Sequence, residues 1–283
     1  MIDQILSLSD GRKVGFSDYG KAGDTAFIWC HGGPGSRLEA AAAGAAVQAL
    51  GLRVIGIDRP GYGLSSLRPG RSIADWAPDC LAVADALGLE TFMTVGMSTG
   101  GAYALSVAAL APERVKAVVT GCAMTDMRHP AARASMPGPT THGVWDAPSR
   151  EAAMAIAADT FGKDGTKMMG GLEGLPEADM AFLTHPDYAA GAEASRAAMF
   201  ANGVEAYVDD RLADGVGWVS FDVTKVKCPV IIVHGESDTI VPVVAAHHTA
   251  SLIPQAELRL FQALGHFSVG EPAIAALVEL THT

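Results

Sequence analysis

At 283 residues the chain exceeds the common single-domain size of roughly 100–150, yet one α/β domain carrying an insertion can fill it. It is 49% hydrophobic and 18% charged, too rich in core-forming residues for a disordered chain. Thirty-one acidic against 20 basic residues give a net charge of −11, which argues against nucleic acid or anionic lipid as a partner.

No apolar run approaches the roughly 18–20 residues of a membrane helix. The first ten residues lack a basic n-region and a long apolar h-region, so a cytoplasmic protein is expected. Cys30, Cys80, Cys122 and Cys228 fall singly in apolar stretches, without CxxC spacing or His partners. They are expected as reduced core thiols rather than metal ligands or disulfides.

In chain order, Ile5–Leu8 and Lys13–Tyr19 read as an antiparallel hairpin turning at Asp10-Gly11 and feeding a sheet edge. The apolar runs Ala26–Cys30, Arg53–Asp58, Thr91–Val95 and Val115–Val119 read as buried strands. Helical patterns at Arg37–Leu50, Ile73–Leu87 and Gly100–Leu110 separate them. This alternation predicts a parallel sheet covered on both faces. From Thr125 to about Asp222 no strand is convincing, and short helices are expected. Strands resume at Pro229–His234 and Glu257–Phe261, and a helix near Glu271–Leu280 closes the chain. The expected division is a core of residues 1–124 and 224–283 with a helical cap, 125–223, over the sheet's carboxyl edge.

That cap segment holds 15 acidic and 7 basic residues and seven of the eleven methionines, with Trp145, Phe161, Phe182, Phe200, Trp218 and Phe221. Two readings follow. The Met and aromatic residues line an adaptable apolar pocket while the acids face water, since unpaired acids inside would be costly. Alternatively, the apolar residues only join short helices together.

The sharpest chemical signal is Gly96-Met97-Ser98-Thr99-Gly100-Gly101, which follows a strand and opens a helix. So tight a turn forces a strained backbone on Ser98 and needs neighbours without side chains. It lifts the Ser98 hydroxyl above the sheet at a helix N-terminus, where negative charge is favoured. A serine needs a base, and the base needs an acid. Asp238 lies past the strand ending at His234, and His266 past the next strand, both on the same edge as Ser98. Glu236 is the competing acid but lies too close to its strand to reach across. His247 and His248 fall on a helix, and His129, His142, His185 and His282 read as surface or packing residues.

The third part is His31-Gly32-Gly33-Pro34-Gly35. A tetrahedral oxyanion needs two fixed N–H donors, each worth roughly 3–4 kcal/mol. Thr99 supplies one from its backbone and Gly33 is expected to supply the other. No Lys-Ser/Thr follows these glycines and they miss the dinucleotide spacing, so the loop is not read as a nucleotide site.

The motifs HGGPG (31–35), DRPGYGLS (58–65), GMSTGG (96–101), HGESDTIVP (234–242) and GHF (265–267) resemble, in their order, those of the α/β-hydrolase superfamily. The resemblance implies a mostly parallel eight-stranded sheet flanked by helices, with an inserted helical cap. It implies Ser98, Asp238 and His266 as a catalytic triad, Gly33 and Thr99 as oxyanion hole, and a structural role for the 58–63 turn. HGGPG is similar to proline iminopeptidases, but Thr99 stands where those enzymes usually carry Trp. A serine at position 98 resembles esterases and carbon–carbon bond hydrolases. The expected activity is hydrolysis of a small ester or amide with an apolar portion, without cofactor or metal. The alternatives are an aminopeptidase, a carbon–carbon bond hydrolase, and a ligand-binding homologue without activity.

Overall fold

The computed structural model describes residues 2–41, 43, 49–170 and 174–281. The chain opens with β1 (Ile2–Ser7) and β2 (Lys13–Tyr19), paired antiparallel. Then come β3 (Thr25–Cys30), a 3₁₀ turn at Arg37–Ala40, β4 (Leu52–Ile57), α1 (Trp76–Ala86), β5 (Phe92–Met97), α2 (Gly100–Leu110) and β6 (Val115–Gly121). Among the described residues six α-helices follow before the next strand: α3 (Pro130–Ser135), α4 (Pro139–Trp145), α5 (Arg150–Phe161), α6 (Glu177–Thr184), α7 (Pro186–Met199) and α8 (Glu205–Gly215). The chain closes with β7 (Val230–Gly235), α9 (Val244–Leu252), β8 (Ala256–Phe261) and α10 (Gly270–Leu280).

The eight strands form one sheet in the order β1-β2-β4-β3-β5-β6-β7-β8. β2 pairs antiparallel with both β1 and β4, and every other neighbouring pair is parallel. Alternation along single strands lets this sheet fill two cores. In β3, Phe27 and Trp29 join one apolar cluster with Val54, Val95 and Leu277, while Ile28 and Cys30 join another with Ile55, Trp76 and Leu105. With both faces covered, such strands read as continuous apolar runs. The chain winds from β3 outward to β4 and then returns across to β5. The carboxyl ends of β3 and β5 therefore flank a topological switch point, where open α/β sheets bind ligands.

The expected strands and edge hairpin are present, with boundaries shifted by a few residues. Two expected helices start differently. Residues 37–40 form a 3₁₀ turn; of the expected helix beyond it Ala41, Ala43 and Ala49 are helical, and residues 42 and 44–48 lie outside the described ones. α1 begins at Trp76 instead of Ile73, because Asp75 takes the Ser72 N–H and hydroxyl and holds residues 72–75 in a turn. Among the described residues no strand occurs between β6 and β7. There Met124, Met127, Met136 and Trp145 pack with Val241 and Ala245. Val144, Tyr207 and Val208 pack with Met154 and Phe161. These Met and aromatic residues join helices to one another and to the sheet domain. All four cysteines are buried and free.

Asp58, at the end of β4, fixes the segment that follows β3. Its buried carboxylate accepts the Arg37 N–H at 2.7 Å, Arg37 Nη1 at 3.0 Å and the Leu64 N–H at 2.9 Å. Arg37 also reaches Asp3 of β1 at 2.8 Å, so one guanidinium ties the edge hairpin to the switch point. Asp58→Ala leaves a largely buried arginine with one partner and should cost about 3–5 kcal/mol in urea unfolding. A loss below about 1 kcal/mol would show that Asp3 suffices.

Candidate active site

Ser98 has φ of +54°, in the left-handed region that side chains rarely occupy. The glycines on either side make the turn possible. A Cβ on Gly96 would lie 2.2 Å from the Gly100 carbonyl oxygen, and one on Gly100 would lie 2.0 Å from that of Cys30. Ser98 donates its N–H to Gly121 O at 2.9 Å and accepts the Met124 N–H at 3.1 Å. The strained residue is thus bonded to the last residue of β6 and to the segment just past it, immediately before α2.

The His31–Gly35 loop lies against this turn. A Cβ built on Gly32 would stand 3.7 Å from Ser98 Cβ, and one on Gly33 would stand 2.8 Å from Thr99 Oγ1. His31 is a fully buried ring that takes the Arg59 N–H on Nε2 at 3.0 Å. Its Nδ1 therefore carries the proton and donates to Gly32 O at 2.7 Å. Burial, with Arg59 nearby, drives its pKa well below the ordinary value, so the ring is neutral. Glu39 takes the Gly32 N–H on both carboxyl oxygens, at 3.2 and 3.0 Å, and the Trp29 indole N–H at 3.3 Å. Burial pushes this carboxyl above its usual range.

Asp238 and His266 meet after β7 and β8. His266 Nδ1 lies 2.8 Å from Asp238 Oδ2, while Asp238 Oδ1 accepts the Ile240 and Val241 N–H groups at 2.7 and 2.9 Å. Burial opposes the charge on Asp238, but the bonds from His266 and Val241 outweigh it and hold the carboxyl below the ordinary range. Glu236 is exposed, its N–H bonded to Phe261 O at 3.0 Å. One residue beyond the Gly121 that holds Ser98, Cys122 reaches Gly265 O through Sγ at 3.4 Å. The two groups thus stand on one edge of the sheet, a strand apart. Cys122 Sγ, Asp238 and His266 offer three metal-type ligand atoms within 4.8 Å of one another. The chemistry does not suit a cation: burial pushes the thiol far up, keeping it protonated, and the imidazole and carboxylate are already bonded to each other.

The acids between β6 and β7 do not all face water, which corrects the sequence expectation. Asp126, Asp179, Asp209, Asp210 and Asp214 are buried. Their burial is tolerable because each is bonded. Asp210 of α8 accepts Arg59 at 2.8 Å, Arg71 at 2.7 Å, Tyr62 at 2.8 Å and Tyr103 at 2.9 Å. Burial works against this charge, but the two guanidiniums hold Asp210 far below the carboxylate range. Arg59 donates onward to the carbonyls of His31 and Gly32, and Arg211 donates to Thr99 Oγ1. Asp214 pairs with Arg211, Asp209 with Arg150 and Asp126 with Arg128. Asp179 of α6 instead accepts the backbone of the His266 loop. Sequence signals the near pairs, Arg211 with Asp214 three residues apart on α8 and Asp126 with Arg128, and places Arg59 at a strand end inside a recognised turn, but not the partners of Asp179, Asp209 and Asp210.

A family model described as alpha/beta hydrolase fold matches residues 25–273. The chain belongs to this family and is a hydrolase. It is 30% identical to a 2-hydroxymuconate semialdehyde hydrolase from Pseudomonas putida, over 96% of this chain and 91% of that one. A non-heme haloperoxidase from Rhodococcus erythropolis is 28% identical, covering 93% and 92%. An esterase from Exiguobacterium antarcticum superposes with TM-score 0.76 at 19% identity over 100% of both chains. An enol-lactonase from Burkholderia xenovorans LB400 gives 0.71 at 18%, over 99% and 100%. At these identities the two solved structures speak for the fold. Among the described residues no helix is long and apolar enough to cross a membrane.

Burial raises the Asp214 carboxyl to about 6, with Arg211 pulling it back. The folded chain therefore binds this proton more tightly than the unfolded chain. That contribution is present below about pH 4 and lost as pH rises through about 6. Asp214→Asn should gain on wild type across this window by on the order of 2–3 kcal/mol. Urea unfolding at several pH values measures it; parallel curves would contradict it. Losing the Arg211 partner adds only a constant offset.

Proposed function

We propose that this hydrolase cleaves a small ester through an acyl-enzyme, with Ser98 as nucleophile, His266 as general base and Asp238 as the acid that orients it. The observation that carries the reading is the strained Ser98 at the mouth of the switch point, on the same edge as the bonded His266–Asp238 pair. With Nδ1–H donated to ionised Asp238, the Nε2 of His266 is left unprotonated to take the serine proton. Ser98 Oγ then bonds to the carbonyl carbon, and the proton passes to the departing alcohol. Water repeats the sequence to release the acid.

Gly33 and Thr99 supply the N–H donors to the oxyanion. The geometry favours Gly33 over its neighbour, because the Gly32 amide is already taken by Glu39. Arg59 holds the carbonyls of this loop back from the site, so the following amide keeps one orientation without reorganisation. The helical segment 125–223 acts as the cap. Its surplus acids support an ester more than an aminopeptidase substrate, because arginines already neutralise Asp126, Asp209, Asp210 and Asp214.

A second reading, cleavage of a carbon–carbon bond beside a carbonyl, is favoured by the Pseudomonas putida relative, which aligns along most of both chains. Assays with p-nitrophenyl esters and with 2-hydroxymuconate semialdehyde, using the Ser98→Ala protein as blank, separate the two.

Ser98→Ala should fold normally and lose activity by roughly 10⁴-fold or more, and a serine-directed phosphonate should label Ser98 alone. Label elsewhere, or a tenth of the activity retained, would refute the nucleophile. Asp238→Asn should cut turnover steeply by favouring the wrong His266 tautomer, while Glu236→Gln should be mild. A reversed order would transfer the acid's role to Glu236.

A further inference from the structure

Asp179 belongs to none of the motifs. It lies in the first turn of α6, buried, and among the described residues no ion pair includes it. Its partners are backbone amides. Oδ2 accepts the N–H of His266 at 2.8 Å, and Oδ1 accepts those of Phe267 and Ser268 at 3.0 and 2.9 Å. The Ser268 hydroxyl donates to Oδ1 at 2.7 Å and accepts the Gly265 N–H at 2.9 Å. One carboxylate thereby fixes four consecutive amides, 265–268, directly or through one hydroxyl. These amides precede α10, whose dipole favours the negative charge.

The approach is close. A Cβ on Gly265 would stand 2.3 Å from Asp179 Oδ2, so the carboxylate occupies the space a side chain would need. Phe182, one turn further along α6, packs over Gly270. His266 is consequently held at two ends by two aspartates. Asp238 takes its ring from the sheet side, and Asp179 takes its backbone from the helical segment. Only two side-chain torsions separate amide from ring, so fixing the amide determines where the ring stands.

We propose that Asp179 is the positioning residue for His266, and that the helical segment must be seated on the sheet domain for the general base to be in place. The proposal rests on the triad reading above. In Asp179→Asn, Oδ1 keeps its three donors, and the new NH₂ group replaces Oδ2 and faces the His266 N–H, donor against donor.

The test is kinetic, on the full-length chain with whichever ester proves to be turned over. Asp179→Asn should lower kcat roughly 10- to 100-fold while KM stays within about threefold, since misplaced groups cost chemistry rather than binding. Added to His266→Ala, it should reduce the residual rate by less than about twofold, because a residue acting through His266 has nothing left to act on. Gly265→Ala, which displaces the carboxylate without removing it, should reproduce the pattern and carries the test if the asparagine variant does not fold. Wild-type kcat in these variants, with Ser98→Ala and His266→Ala inactive, overturns the proposal and leaves the triad standing. A full additional loss in the His266→Ala background also overturns it, because Asp179 would then act elsewhere. Wild-type activity in His266→Ala overturns the triad, and this role with it.

Discussion

The guanidinium of Arg59, shut off from water beneath the His31–Gly35 loop, is the group on which the arrangement of the site depends. It holds two carbonyls of that loop and neutralises Asp210 from a helix some 150 positions away, while the backbone N–H of the same residue bonds His31 Nε2. Such a pair contributes little net stability compared with apolar packing, but leaving either partner alone is costly. The arrangement therefore enforces one geometry more than it strengthens the fold. Tyr62, Tyr103 and Arg71 complete the shell, so that Asp210 keeps its charge despite full burial. Three guanidiniums, from Arg59, Arg71 and Arg211, face two carboxylates, from Asp210 and Asp214.

The same economy governs the other half of the site. The helices between β6 and β7 reach down with two buried aspartates, one to each side of the switch point. Asp210 bonds Arg59 and Tyr62 of the loop after β4 and, through Arg59, fixes the loop after β3, while Asp179 meets the loop after β8. The helical segment is thus tied to the sheet domain at both places. Its polar groups help fix both loops, and loops tied to two elements at once have few alternative conformations.

The readings that held in the sequence were local ones. Continuous apolar runs marked the strands because a doubly covered sheet leaves no polar side to alternate with. Gly96 and Gly100 marked the turn at Ser98, because backbone that approaches backbone this closely excludes every other residue. The acids of the helical segment were misread for the opposite reason. For Asp179 and Asp210 the partners lie 87 to 151 positions away, and even the aspartates of the near pairs Asp126–Arg128 and Arg211–Asp214 are buried only by the fold around them, whereas burial without pairing was the costly case considered. Of the Met and aromatic residues of that segment, Met127, Met136, Trp145, Met154 and Phe161 pack in clusters between helices, and Trp218 and Phe221 join the core of the sheet.

The sequence by itself determined the parallel sheet, its edge hairpin, the order of the motifs and the strand ends from which Ser98, Asp238 and His266 project, since these follow from spacing and steric exclusion along short stretches of chain. Only the tertiary structure decided that His266 bonds Asp238 while Glu236 stays exposed, that Gly32 is occupied by Glu39, and that Asp179 and Asp210 are buried. Each is a meeting of polar groups distant in the chain, and a buried charge is tolerated only where the complete fold delivers its partner.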